Sequence, residues 1–155
     1  MADMSANGDP HSAVGVDIIE TERVRATLER FGEKFLRRVY SPVEVAFCRR
    51  RVHELAARFA AKEAVMKALG TGARGVAWRE IEVLPNRRGK PLVYLHGRAR
   101  ERAKRIGLGG LDVSMSHSRE YAVAFVVGQS EEAEPDREGW RRKLIGILRE
   151  RGLLE

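Results

Sequence analysis

Apolar positions change their spacing several times along the chain, and each change predicts an element. Val14-Gly-Val-Asp-Ile-Ile19 is a short apolar run suited to a buried strand. Beyond it Val24, Leu28 and Phe31 fall on one helical face, with Thr21 as candidate cap and Gly32 as candidate stop. Ser41-Pro-Val-Glu44 has the form of a capping box with proline at the first helical position. Helix then runs toward Gly70, with a break near Arg49-Arg50-Arg51. Its stronger part, Glu54–Leu69, is rich in good helix formers and meets a glycine stop.

Downstream, Glu80–Leu84 and Leu92–Leu95 read as two strands around the turn-rich Pro85-Asn-Arg-Arg-Gly-Lys-Pro91. Arg98–Ile106 reads as a basic helix ended by Gly107. Leu111–Met115 and Tyr121–Val127 are the last core strands, joined by a polar hairpin connection at Ser116-His-Ser-Arg-Glu120. Past an acidic stretch, Trp140, Leu144, Ile147 and Leu148 recur at helical spacing. That stripe is expected to pack on a folded domain, its own or a neighbour's. The organisation is therefore a disordered leader (1–13), one domain (14–128), a linker (129–136) and a C-terminal amphipathic helix (137–155). The fold class is α+β: an antiparallel sheet packed on one long helix.

Composition narrows the function classes. With 43% hydrophobic and 33% charged residues, 155 residues suffice for one globular domain, and no apolar run approaches a membrane span. A lone Cys48 gives no internal disulfide and no zinc spacing, so the cytoplasm is the default compartment. Cys48 reads as a small core residue and His53 as a surface one. The formal charge of +7 points to an anionic partner. Sparse aromatics, 6% and without a spaced stacking platform, argue against a nucleic-acid partner.

Three places carry chemistry. Asp17 stands inside an apolar strand, where an unpaired carboxylate is costly unless it meets solvent, a cap or a cation. Glu63 and Lys67 are four apart on an alanine-rich helix, so carboxylate and ammonium project from one side. Arg58 lies one turn before Lys62 on the same helix. Ser114-Met-Ser-His-Ser118 sets hydroxyls and an imidazole at a hairpin, where they can donate to phosphate oxygens or simply satisfy the turn. Two carboxylates suit Mg²⁺ shared with substrate phosphates, and no Walker-type or Gly-x-Ser-x-Gly motif is present. The residues thus read as a Mg²⁺-dependent enzyme acting on a phosphate or pyrophosphate ester. A basic nucleic-acid module and a metal-dependent phosphohydrolase are the rivals.

Five segments, taken together and in order, resemble holo-acyl-carrier-protein synthase, the small bacterial type of 4′-phosphopantetheinyl transferase. They are Gly15-Val-Asp-Ile-Ile-Glu20, Arg58-Phe-Ala-Ala-Lys-Glu-Ala64, Lys67-Ala-Leu-Gly-Thr-Gly72, Gly89-Lys-Pro91 and Ser114-Met-Ser-His-Ser118. The resemblance covers about Val14 to Val127 and leaves the tail unmatched. It implies transfer of phosphopantetheine from coenzyme A to a serine of acyl carrier protein, with release of adenosine 3′,5′-bisphosphate. Asp17 and Glu63 match the Mg²⁺ carboxylates. Lys67 and His117 match phosphate contacts, and Arg58, Lys62, Ser116 and Ser118 fall at or beside coenzyme-facing positions. Gly89, Lys90 and Pro91 match the adenine pocket. Arg23, and more weakly Arg30, match carrier-docking positions. The resemblance implies a homotrimer with sites between subunits, and leaves open whether the carrier protein served belongs to fatty-acid biosynthesis, polyketide synthesis or another route. Larger relatives carry Asp-x-Glu in the first motif; Ile19 occupies that third place here, which fits the two-carboxylate class. Glu63, directly or through a metal-held water, is the first candidate for the base that takes the serine proton.

Overall fold

Alternation along the first strand decides which side of the chain turns inward. In the computed structural model, which describes residues 11–131 and 137–155, strand β1 spans His11–Glu20. Its Gly15, Asp17 and Ile19 face the interior, while Val14, Val16 and Ile18 face out. Helices α1 (Thr21–Phe31), α2 (Glu33–Val39) and α3 (Pro42–Cys48) follow, then the long α4 (Val52–Leu69). A short 3-10 turn at Trp78–Glu80 leads into β2 (Ile81–Pro85), β3 (Pro91–Leu95), α5 (Gly97–Arg105), β4 (Gly109–His117) and β5 (Tyr121–Ser130). Helix α6 (Arg137–Glu150) closes the chain.

The strands form one antiparallel sheet in the order β1-β5-β4-β3-β2. Helix α4 lies across its inner face, mainly against β1 and β5. Gly15 makes that approach possible: a Cβ added there would stand 1.8 Å from the Ala64 carbonyl oxygen. Ala60 and Ala64 of α4 and Ala122, Ala124 and Val126 of β5 fill the seam, all fully buried. The α+β architecture expected from the sequence is the one observed.

Local chemistry explains the helix limits. The capping box is present: Ser41 Oγ accepts from Glu44 N–H, and Glu44 Oε1 accepts from Ser41 N–H. The break before α4 falls at Arg49 and Arg50, both with left-handed φ, of 48° and 60°. Gly70, at φ 72°, ends α4.

Several boundaries differ from the sequence reading. β1 begins at His11, before Val14, because His11–Ala13 pair with Gly128–Ser130 of β5. Gln129 and Ser130 therefore belong to the sheet, not to a linker. The leader residues 1–10 and linker residues 132–136 lie outside the described residues. Helix α2 is an unforeseen element; Phe35, Leu36 and Val39 bury its inner face. Thr21 is the first helical residue of α1, and Glu20 holds the cap position without a side-chain bond. The tail is helical, yet α6 takes no part in the extensive packing between elements. Trp140 stays 56% exposed. Among the described residues, no helix is long and apolar enough to cross a membrane.

Candidate active site

Helix α4 is apolar around its whole circumference, so its few charged residues declare how each side is used. Successive residues are rotated by about 100°. Arg58 and Lys62 therefore share one side of the helix, and Glu63 and Lys67 share another.

The second side meets β1. Lys67 Nζ donates to the Val16 carbonyl at 2.8 Å and to Asp17 Oδ1 at 3.2 Å. Asp17 and Glu63 come within hydrogen-bonding reach of each other. The Asp17 side chain is only 12% exposed, whereas that of Lys67 is 56% exposed. Burial pushes the Glu63 carboxyl up to about 7, and the hydrogen bond and charge of Asp17 add to that push. Lys67 and Arg23 oppose it, which places the Arg23 guanidinium of α1 close enough to be felt at Glu63. Beside the pair lies a cleft of about 170 Å³ lined by Glu63, Met66, Lys67, Gly72, Ala73 and Trp78. The Trp78 ring is backed by Phe59 at 4.7 Å, nearly parallel.

Two adjacent carboxylates with one raised well above its ordinary value ask for either a proton or a cation between them. The donor set is all oxygen, which suits Mg²⁺. Among the described residues no third carboxylate, histidine or cysteine completes a three-residue metal group, so substrate oxygens and water would supply the remaining ligands.

His117 ends β4 on the α4-facing side of the sheet, one inward step beyond Met115. Its ring stacks on that of His53, in the first turn of α4, with centroids 5.0 Å apart and planes 30° apart. The structure thus sets His117 against the start of α4, apart from the Asp17–Glu63–Lys67 cluster at the helix's other end. Ser116 lies on the opposite face of β4, and with it leaves the side His117 occupies. Ser118 Oγ accepts from the Glu120 and Tyr121 N–H groups at 3.4 and 3.2 Å, so its lone pairs serve the turn.

Arg58 and Lys62 correct the sequence reading. Neither faces a cleft: their side chains are 2% and 0% exposed. Lys62 Nζ donates to Glu44 Oε1 at 2.7 Å, to the Trp78 carbonyl at 3.2 Å and to the Ile81 carbonyl. Burial holds the Lys62 ammonium below its ordinary value, and Glu44 works against that shift. Arg58 Nε donates to the Val83 carbonyl at 2.9 Å, and its Nη1 pairs with Glu54 at 2.6 Å over the ring of Phe47. Both cations hold α4 to α3 and β2. They were misassigned because an alanine-rich helix gives no amphipathic stripe to say which side is open.

Gly89-Lys90-Pro91 form the β2–β3 turn, pinned by Asn86 Oδ1, which accepts from the Arg88 and Lys90 N–H groups at 2.9 Å each. β2 and β3 lie at the far end of the sheet from β1, so one chain does not bring this turn to Asp17. Arg23 and Arg30, seven apart, lie exposed on one face of α1, with Arg30 over the Phe31 ring. His53 was missed as a site neighbour; it is half-buried. Cys48 is buried as read, and burial pushes its thiol up to about 11.

The 4′-phosphopantetheinyl transferase superfamily model matches residues 13–126, the sheet and α4 included. The chain belongs to that superfamily. It is 50% identical over 121 residues to the holo-[acyl-carrier-protein] synthase of Herpetosiphon aurantiacus, covering 74% of this chain and 95% of the relative. The synthase of Moorella thermoacetica is 46% identical over 123 residues, covering 77% and 95%. Among solved structures, the Helicobacter pylori holo-[acyl-carrier-protein] synthase in complex with coenzyme A superposes with a TM-score of 0.68. It is 32% identical and covers 74% of this chain and 98% of that one. The Neisseria meningitidis synthase gives a TM-score of 0.70 at 34% identity, covering 75% and 96%. The chain is thus a phosphopantetheinyl transferase of the holo-acyl-carrier-protein synthase type. Asp17, Glu63, Lys67 and His117 all lie inside the matched region, and α6 lies outside it.

Proposed function

We propose that this transferase moves the 4′-phosphopantetheine arm of coenzyme A onto a serine of apo acyl carrier protein, with Mg²⁺ and with release of adenosine 3′,5′-bisphosphate. The observation that carries the reading is the pairing of Asp17 with a Glu63 carboxyl raised to about 7 beside the Lys67 ammonium. Asp17 and Glu63 would hold the metal. When bound, Mg²⁺ neutralises charge on the pyrophosphate oxygens and eases attack at phosphorus.

This chain's own residues do the rest. The serine oxygen forms a bond to the phosphorus that carries the pantetheine arm. The bond from that phosphorus to the bridging oxygen breaks, and the electron pair leaves with adenosine 3′,5′-bisphosphate. Lys67 stabilises charge growing on the phosphate oxygens. His117, from the other end of α4, meets a phosphate of the same extended coenzyme. Glu63, directly or through a metal-held water, is the group suited to take the serine proton. Arg23 and Arg30 offer α1 as a positive face to an acidic carrier protein.

A homotrimer fits the same reading. Val14 (52% exposed), Val16, Ile18, Phe125 and Val127 make a continuous apolar stripe on the outer face of β1 and β5. Such a patch is characteristic of a protein–protein interface. A second chain is also the source of a Gly89–Pro91 turn for this chain's Asp17, because within one chain β2 and β3 lie at the far end of the sheet from β1. The test is mass spectrometry of an apo carrier protein incubated with this protein, coenzyme A and Mg²⁺. A gain of one phosphopantetheine, abolished by EDTA, is expected. No gain with several carrier proteins, in a folded and Mg²⁺-supplied sample, would overturn the proposal.

A further inference from the structure

The His53–His117 stack has no role in the reaction as described so far, and it sits where a phosphate contact has to be held still. His117 is exposed at the very end of β4, followed by a three-residue turn. An exposed side chain at a strand end is free to exchange between staggered rotamers. One ring limits that freedom. His53 lies across the His117 imidazole, 5.0 Å centroid to centroid and 30° from parallel.

His53 is itself well anchored. It belongs to the first turn of α4, a helix whose placement is fixed by the Gly15–Ala64 approach and by the Lys62 and Arg58 anchors. The ring is half-buried, and its Nδ1 is shut off from solvent without a hydrogen-bond partner among the described residues. A buried, unpaired ring nitrogen is a cost that a carbon in the same place would not incur. A flat ring at this position therefore serves its neighbour, because its own polar atom gains nothing.

We infer that His53 is a positioning residue: by stacking, it holds the His117 imidazole in the orientation that receives a phosphate of the coenzyme. The inference rests on the reading of His117 given above. It assigns His53 no contact with coenzyme or carrier protein.

The experiment compares His53→Ala, His53→Leu and His53→Phe, each checked by thermal melting. Stacking of this kind corresponds to a factor of about three to ten in an equilibrium constant. His53→Ala and His53→Leu are expected to raise KM for coenzyme A by that factor, with KM for carrier protein unchanged and kcat lowered less than about twofold. His53→Phe, which keeps the flat ring, should restore KM. In a His117→Ala background, His53→Ala should change KM no further. The inference is overturned if Leu rescues as well as Phe, if the two single effects add, or if kcat falls while KM holds.

A second readout is independent of turnover. The His117 ring-proton resonances in the free protein should lose their ring-current displacement in His53→Ala and regain it in His53→Phe. If the wild type fails to transfer phosphopantetheine yet these resonances behave as stated, the transfer reading falls and the positioning role stands. Unmoved His117 resonances in His53→Ala would sink the positioning role whatever the activity. Should His53→Ala fail to fold, the contrast between the Leu and Phe variants decides alone.

Discussion

Lys62 and Lys67 stand five residues apart on α4, yet the first is wholly buried and the second is more than half exposed. Lys62 faces a finished network. Its partner Glu44 accepts from Ser41 N–H and Lys62 through Oε1 and from Val83 N–H through Oε2, so each carboxylate oxygen is used. Lys67 faces a more open one, where two carboxylates crowd together and, among the described residues, the lysine donates to Asp17 and a backbone carbonyl. A satisfied buried pair specifies packing, whereas crowding of two half-open carboxylates is an arrangement that a cation would relieve. The proposed metal binding is placed on the second side for that reason.

The sharpest way to break this contrast is to unpair the closed side. Glu44→Ala leaves the Lys62 ammonium buried without its carboxylate. Stability should fall by about 3–5 kcal/mol, read as a lower urea midpoint. Replacing both partners, as Glu44→Leu with Lys62→Met, should recover most of that loss. If Glu44→Ala unfolds at the wild-type midpoint, the Lys62 network is not what holds α4 to α3 and β2.

The seam between helix and strand comes next. Gly15→Ala drives a methyl group into the Ala64 carbonyl, a backbone atom that cannot swing aside. A loss of about 1–3 kcal/mol in unfolding free energy is expected, with transfer activity falling because Asp17 and Glu63 move apart. An alanine variant of wild-type stability and turnover would mean that α4 can shift without disturbing the site.

On the open side the effect is a change of pH dependence. Glu63 has its carboxyl raised from 4.5 to about 7, so folding favours the protonated form. That contribution is fully present below about pH 4.5 and is lost as pH rises through about 7, so metal-free protein should become less stable across that window. Mg²⁺ competes with the same proton. Its stabilising shift in Tm should therefore be larger at pH 8 than at pH 6, and should vanish in Glu63→Gln. An equal shift at both pH values would remove Glu63 from the ligand set.

The contrast within α4 also explains what the sequence could tell. The α+β class, the capping box at Ser41–Glu44, the Gly70 stop and the five motifs were legible because each rests on local spacing. The i, i+4 spacing of Glu63 and Lys67 put both on one side, and it did the same for Arg58 and Lys62. Which side stays open is decided by β2 and α3, distant in sequence, and an all-round apolar helix carries no sign of it. The surroundings of Ser116 and Ser118 were hidden for a related reason. Strand alternation sets Ser116 on the face opposite His117, and the Ser118 oxygen accepts from the turn's own N–H groups. The role of His53 depends on a contact across 64 residues of chain, and no local pattern reports that.

The smallest effect is expected at the tail, the region least like the core. The apolar stripe of α6 leaves Trp140 and Leu144 open at 56% and 39%, and the family match ends at residue 126. Little apolar area is withdrawn from water by this helix within one chain, so its removal should cost that chain little. A truncation after Glu131 keeps every residue of β5, including Ser130, whose hydroxyl donates to the Ile106 carbonyl at 2.6 Å. Its unfolding free energy should stay within about 0.5 kcal/mol of the full chain at micromolar concentration, and transfer should remain measurable. Light scattering sharpens the comparison. If the stripe is covered by a neighbouring copy, the truncated protein should dissociate at higher concentration than the full chain while its folded core persists. A truncated protein that keeps its assembly and core stability yet loses transfer would place α6 at the active site, against the division between core and tail drawn here.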